Sequence, residues 1–182
     1  MEIVVNDTNI LIDLYNAGLL PHCKSLDLDF RTLDVVMSEI EEKNQLEAVE
    51  ELVSDGTLRV DSLSPNQVER VFQMVREYEG YCNLSPEDIS VMVYAKDNHC
   101  RLLTGDKTLR AKAIIENIQV SGVLYLTDLL SEAHILSYAE MAESLEFLLA
   151  SNSRLPRKLI QERISRLREA NVGINLLPND DD

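Results

Sequence analysis

Four acidic side chains lie at predicted strand ends or helix starts, positions that favour a catalytic or ligand-binding role. Asp7 directly follows the apolar stretch that predicts the first β-strand, and Asp106 follows the predicted strand Leu102–Thr104 in the same way. In an open α/β sheet the carboxyl ends of the strands border the crevice that binds ligands. Glu39 and Asp88 each lie near the start of a predicted helix, on the face that carries its apolar residues. Such a carboxylate needs a partner, because burying it ionised and unpaired is costly.

Two interpretations of these acids remain open. Each could cap a helix: Asp88 would complete a capping box that begins at Ser85, and Asp106 would be an N-cap. Alternatively, all four meet at one edge of a parallel sheet, where neighbouring carboxylates raise one another's pKa unless a cation is bound. All-oxygen ligation favours Mg²⁺ or Mn²⁺, whereas the three histidines lack the spacing of zinc ligands. Glu42 is a second candidate for the position of Glu39.

The elements that would position these acids alternate between strand and helix, which is typical of a parallel sheet covered by helices. We predict strands at 2–5, 33–36, 101–104 and 120–125, with 58–63 as an edge strand or a connector. We predict helices from residue 8 and at 38–55, 65–78, 86–97, 107–117, 127–136, 137–150 and 155–169. The fold class is therefore α/β, with one domain over 1–136 and a helical C-terminal extension over 137–182 that ends in a frayed acidic tail.

The charge of the chain is unevenly distributed. The formal net charge of −15 argues at first against a polyanionic partner. Residues 154–168 are the exception, because they hold six basic side chains and one acidic one. Such a stretch is either a solvated helix face or a contact surface for RNA or an acidic partner. The basic side chains that we consider as contacts to RNA or to a partner protein are Lys107, Arg110, Arg154, Arg157 and Lys158.

The overall composition fits a globular protein, with 45% apolar and 27% charged residues. No run approaches the roughly 20 apolar residues that a membrane span needs, and the N-terminus lacks the pattern of a signal peptide. The three cysteines are widely spaced, which favours reduced thiols. We therefore expect a cytoplasmic protein that does not contact a membrane.

Several short motifs together resemble the PIN-domain family, the metal-dependent ribonucleases that include the VapC-like toxins of toxin–antitoxin pairs. The motifs are Asp7-Thr8-Asn9, Ser38-Glu39, Ser85-x-x-Asp88 and Leu102-Leu103-Thr104-Gly105-Asp106. Asp88 and Asp106, 18 residues apart in one helix–strand unit, are the most specific part. The resemblance covers about residues 1–130 and implies a PIN-like sheet. It also implies that Asp7, Glu39, Asp88 and Asp106 form a catalytic, metal-binding quartet that Asn9 and Thr104 support.

The resemblance further implies an Mg²⁺- or Mn²⁺-dependent endoribonuclease that hydrolyses RNA phosphodiester bonds, with an antitoxin protein and a second copy of the chain as candidate partners. The alternative is a non-catalytic PIN-fold module for binding or regulation, docking through its basic C-terminal helix. The intact quartet argues against that alternative, because a non-catalytic relative has no reason to keep four costly acids. A phosphatase that uses Asp7 as nucleophile is also disfavoured, because such families resemble Asp-x-Asp and position 9 is Asn.

Overall fold

The computed structural model describes the backbone of residues 1–175 and the side chains of residues 1–171. Five parallel strands form one sheet in the order β3-β2-β1-β4-β5. The strands are β1 (Glu2–Asn6), β2 (Leu28–Leu33), β3 (Leu58–Asp61), β4 (Arg101–Leu103) and β5 (Val120–Ser121). The predicted α/β class, with a parallel sheet flanked by helices, is confirmed.

Nine helices of the described residues surround the sheet. They are α1 (Thr8–Asn16), α2 (Asp34–Met37), α3 (Lys43–Ser54), α4 (Pro65–Tyr78), α5 (Pro86–Asp97), α6 (Lys107–Ile115), α7 (Val123–Glu132), α8 (Tyr138–Ser151) and α9 (Arg157–Asn175). A 3-10 helix, Leu20–Ser25, joins α1 to β2. Among the described residues, every helix is too short or too polar to cross a bilayer.

The apolar side chains of the central strand divide the core between the two faces of the sheet. Successive residues of a strand point to opposite faces, so Val4 packs into one cluster and Val5 into the other. The Val4 cluster includes residues of α1, α3, α7, α8 and α9, whereas the Val5 cluster includes residues of α5 and α6. Because β1 and β4 are adjacent and parallel, the strand ends that precede Asp7 and Thr104 lie side by side.

The C-terminal helices belong to the larger of these two clusters. Met141 and Leu145 of α8 and Ile160 and Ile164 of α9 are buried together with Ile10 of α1. The division of the chain into 1–136 and 137–182 stays a prediction, but the helices on both sides of it share one core. The predicted frayed tail covers 171–182. Its first part, 171–175, continues α9 instead, and 176–182 lie outside the described residues.

The prediction of a strand at 33–36 followed by a long helix from Ser38 is wrong. The strand ends at Leu33, where Asp34 accepts a hydrogen bond from the Val35 amide at 2.8 Å and starts the one-turn helix α2. Ser38 Oγ donates to the Val35 carbonyl oxygen at 2.6 Å instead of capping a helix, and α3 begins only at Lys43. Glu39 therefore lies in a turn between two helices.

The predicted strand at 120–125 is also too long. The strand covers only Val120–Ser121, and α7 begins at Val123 after Gly122. Val123, Leu126 and Leu130 are buried at helical spacing, so packing decides the conformation of a segment whose apolar run resembles a strand.

Candidate active site

Asp7 lies at the end of the central strand and is the most buried of the four predicted acids. It occupies the N-cap position of α1, but its side chain makes no capping hydrogen bond. Its Oδ2 instead accepts hydrogen bonds from Thr104 Oγ1 at 2.8 Å and from Asn9 Nδ2 at 3.4 Å. Burial raises the pKa of Asp7 to about 6; the Thr104 hydrogen bond opposes this rise, and the charges of Asp88 and Glu39 add to it. Asp7 is therefore not a side-chain cap of α1, which rules out the capping interpretation for this acid.

Thr104 joins the ends of the two central strands. Its hydroxyl donates to Asp7 and accepts a hydrogen bond from the Asp106 amide at 3.0 Å. Asp106 caps α6, because its Oδ1 accepts from the amides of Thr108 and Leu109 at 2.8 Å each. One threonine hydroxyl thus fixes the carboxylate of the first acid and the backbone of the second.

Asp88 begins α5 in the predicted capping box. The Ser85 amide donates to Asp88 Oδ2 at 2.9 Å, and the Asp88 amide donates to Ser85 Oγ at 3.0 Å. Burial raises the pKa of Asp88, the hydrogen bonds with Ser85 lower it, and the charge of Asp106 raises it further. Asp88 is thus a helix cap and, at the same time, a neighbour of the other acids.

Glu39 reaches the cluster from the turn after α2. Its carboxylate accepts a hydrogen bond from the hydroxyl of Thr8, the residue that follows Asp7 in the chain. Glu42, the alternative candidate, is exposed at the N-cap position of α3 and makes no capping hydrogen bond with its side chain. The structure therefore places Glu39, and not Glu42, beside Asp7.

The four carboxylates share one feature of their hydrogen bonding. In each, one oxygen accepts hydrogen bonds from the chain, and the other receives none from the described residues. Those residues contain no group of three or more His, Cys, Asp or Glu side chains placed to hold a metal ion, so the acids do not form a ready-made cage. Mg²⁺ is usually held by one or two carboxylates, with water and substrate phosphate as its other ligands. The donors present fit an ion bound in that way.

A comparison with protein families decides the classification of the chain. A family model described as "PIN domain" (DUF3368) matches residues 3–169. The chain belongs to the PIN-domain family. PIN domains are generally nucleases. None of the curated proteins matches the chain.

The solved structures similar to this PIN domain include three whose own chains are covered at 98% each. PAE2754 from Pyrobaculum aerophilum is 18% identical, covers 75% of this chain and has a TM-score of 0.47. VapBC2 from Rickettsia felis, bound to a DNA fragment from its promoter, is 16% identical over 66% of this chain with a TM-score of 0.48. VapBC-1 from nontypeable Haemophilus influenzae is 17% identical over 67% with a TM-score of 0.46. The family assignment rests on the family model alone.

The five basic residues predicted to contact RNA or a partner protein differ in their surroundings. Arg110 Nη2 donates to the Thr104 carbonyl oxygen at 2.9 Å, which ties α6 to β4. Lys107 and Lys158 are exposed, and Arg157 donates to the Leu149 carbonyl oxygen at 3.5 Å. Arg154 Nη2 lies 3.5 Å from Oδ1 of Asn9, the residue whose amide group donates to Asp7.

Two residues have no role in the prediction from the sequence: one binds an acid of the cluster, and the other binds Asp13 of α1. Thr8, which binds Glu39, could have been found because it stands between Asp7 and Asn9 in the first motif. Asn152 lies between α8 and α9 and binds Asp13 of α1 across 139 residues of sequence. No local pattern in the sequence indicates that pair.

Proposed function

We propose that this PIN domain is a metal-dependent endoribonuclease that hydrolyses RNA phosphodiester bonds at the cluster of Asp7, Glu39, Asp88 and Asp106. The observation that carries the proposal is the environment of Asp7. Its carboxylate is buried and makes no capping hydrogen bond, and its pKa is raised by burial and by two neighbouring acids. Burial and like charges make such a group costly, and strongly perturbed acids concentrate at functional sites. A bound cation relieves both effects.

Asp7 would hold Mg²⁺ or Mn²⁺ together with Asp88 or Asp106, through the carboxylate oxygens that accept no hydrogen bond from the described residues. When bound, the ion supplies a water of lowered pKa and neutralises charge on the phosphate. Thr104 keeps Asp7 Oδ2 fixed, and the other oxygen of Asp7 accepts no hydrogen bond from the described residues. The capping bonds of Asp88 and Asp106 anchor their carboxylates to the starts of α5 and α6. Glu39, the exposed acid, is assigned to orient the attacking water and to accept its proton.

The same proposal extends to the biological setting. We infer a toxin of a toxin–antitoxin pair in the cytoplasm, with a homodimer as the assembled form and an antitoxin as protein partner. An acidic cluster is electrostatically suited to a basic segment of such a partner. The cysteines Cys23, Cys82 and Cys100 are all unpaired, which agrees with a reducing compartment.

The test is cleavage of single-stranded RNA of randomised sequence by the purified chain in Mn²⁺, in Mg²⁺ and in EDTA. The proposal predicts cleavage with either metal, none in EDTA, and none by Asp7→Asn or Asp106→Asn. The matched control is Asp55→Asn, which makes the same substitution at an exposed acid that ends α3. Cleavage that persists in EDTA or in Asp7→Asn would contradict the proposal.

The alternative of a non-catalytic module docking through the basic helix is less well supported. Two of the basic residues of α9 are engaged within the chain, since Arg163 pairs with Asp128 at 2.7 Å and Arg168 pairs with Glu146. RNA binding without any cleavage in Mn²⁺ is the result that would favour this module over the nuclease.

A further inference from the structure

The connection between α8 and α9 brings one arginine to the acidic cluster. We propose that Arg154 binds the phosphate backbone of the RNA substrate beside the catalytic acids, so that the C-terminal helices complete the substrate site. This inference rests on the proposed ribonuclease function. Arg154, which is not one of the four acids, would attract the RNA polyanion and orient it.

Asn152 anchors this connection to α1. Its Nδ2 lies 3.0 Å from Oδ1 and 3.1 Å from Oδ2 of Asp13, a carboxylate that is only 4% exposed. Its Oδ1 accepts a hydrogen bond from the Arg154 amide at 3.0 Å. A single side chain therefore holds the connection against α1 and fixes the backbone from which the Arg154 side chain extends.

A chain of polar contacts leads from Arg154 to the most buried acid. Arg154 Nη2 lies 3.5 Å from Asn9 Oδ1, and Asn9 Nδ2 lies 3.4 Å from Asp7 Oδ2. The contact with Asn9 is long and involves a neutral amide, so it satisfies little of the donor capacity of an exposed guanidinium. The charge of Arg154 also acts on Asp13: burial raises the pKa of that carboxyl, and Arg154 lowers it. The remaining guanidinium N–H groups of Arg154 donate no hydrogen bond to another described residue, so they are open to a ligand that lies across the cluster.

Four of the other arginines near the cluster or in the basic stretch have partners elsewhere. Arg110 donates to backbone carbonyls of β5 and of Thr104, and Arg157 donates to a carbonyl at the end of α8. Arg163 and Arg168 pair with carboxylates of α7 and α8. Among the basic residues of 154–168, Arg154 is the one whose hydrogen bonds lead to an acid of the site.

The negative charge of RNA favours a basic side chain beside the four acids. Four clustered carboxylates in a chain of net charge −15 repel RNA, and a bound metal compensates this charge only where it is held. A guanidinium is always charged and presents paired donors that match two phosphate oxygens. Arg154 thus supplies a positive charge beside Asn9, at the edge of the acidic cluster.

The experiment measures initial rates of RNA cleavage in Mn²⁺ against RNA concentration and KCl concentration, with fluorescein-labelled single-stranded RNA of randomised sequence. Arg154→Gln is compared with Arg166→Gln, which removes the same charge from an exposed position of α9 that borders Thr127 and Met141. We expect Arg154→Gln to raise KM by about tenfold or more, the effect of one charged hydrogen bond, and to change kcat less. The dependence of log(kcat/KM) on log[KCl] should become shallower by about 0.7, the value for one phosphate contact on a single strand. Arg154→Lys keeps the charge but loses the paired donors, so it should retain the KCl dependence of the wild type and raise KM less than Arg154→Gln does.

Two results would overturn the inference, and they are distinguishable. If the wild type cleaves RNA and Arg154→Gln raises KM no more than Arg166→Gln, the inference fails while the proposed function stands. If the wild type cleaves no RNA, the proposed function fails and this inference fails with it.

Asn152 is a positioning residue in this scheme, and a double-mutant cycle tests its role. Asn152→Ala should raise KM because the Arg154 backbone is released. The double variant Asn152→Ala/Arg154→Gln should have the same KM as Arg154→Gln alone, since Asn152 acts through the arginine. Additive effects on KM would mean that Asn152 has only a structural role, and they would contradict the positioning scheme.

Discussion

Replacing Asp7 by Asn is expected to stabilise the metal-free protein at neutral pH while removing its activity. The carboxyl group is 4% exposed, and its pKa is raised from 3.8 to about 6 by burial and by the charges of Asp88 and Glu39. A carboxyl that binds its proton more tightly in the folded state lowers the free energy of unfolding once it is ionised in both states. At 1.36 kcal/mol per pKa unit, this cost is about 3 kcal/mol at pH 7.

The substitution recovers most of that cost. The side-chain carbonyl oxygen of the introduced asparagine can still accept from Thr104, but its NH₂ group needs a new partner, which we set at about 1 kcal/mol. The net gain of about 2 kcal/mol corresponds to a rise in Tm of about 4–8 °C for a chain of this size.

The pH dependence identifies the cause of the stabilisation. Between pH 3.8 and about 6 the folded wild type holds a proton at Asp7 that the unfolded chain releases, so the stability of the wild type falls as pH rises through this window. Below it, Asp7 is protonated in both states and the cost disappears. The advantage of Asp7→Asn should therefore be full at pH 7.5 and largely lost at pH 4.

Thermal melts of both proteins in EDTA at the two pH values measure this difference. The control is Asp55→Asn, because Asp55 is exposed and hydrogen bonds from Thr57 lower its pKa. An Asp7→Asn variant that melts below the wild type at pH 7.5, or whose advantage is equal at both pH values, would show that the ionised Asp7 carboxylate does not destabilise the metal-free fold.

Two further predictions concern the acid beside Thr8 and the C-terminal helix. Glu39→Gln should reduce the rate of RNA cleavage by about a hundredfold, within the range of a general base, whereas Glu42→Gln should leave it unchanged; equal effects in the cleavage assay would contradict the assignment. Truncation after Ala150 removes the buried Ile160 and Ile164 and should lower the free energy of unfolding in urea by roughly 3–6 kcal/mol; a truncated chain as stable as the full chain would contradict the shared core.

The sequence predicted the positions of those residues of the candidate site that depend on local signals. Asp7 and Asp106 follow apolar stretches at strand ends, and parallel pairing of β1 with β4 brings those ends together. Asp88 belongs to a Ser-Pro-x-Asp capping box, which four consecutive residues specify completely. The starts of α4 and α8 follow from the same kind of signal, since Ser64 and Ser137 cap them.

The parts that were missed depend on tertiary packing. Ser38 and Glu41 have the spacing of a capping box, yet Ser38 bonds backward to Val35 because the chain turns after α2. Glu39 consequently binds Thr8 from a turn and not from a helix. The Asn152–Asp13 pair joins residues 139 apart, so only the packing of α8 on α1 creates it.

The most direct test of the account is the Tm of the wild type measured against increasing Mn²⁺, with EDTA as the control. An ion that binds only the folded state at 100 times its Kd adds about 2.7 kcal/mol, which corresponds to a rise in Tm of about 5–11 °C. A metal site at the acidic cluster predicts such a rise in the wild type and its loss in Asp7→Asn. A wild-type Tm that does not change at millimolar Mn²⁺ would contradict the assignment of the acidic cluster as a metal site.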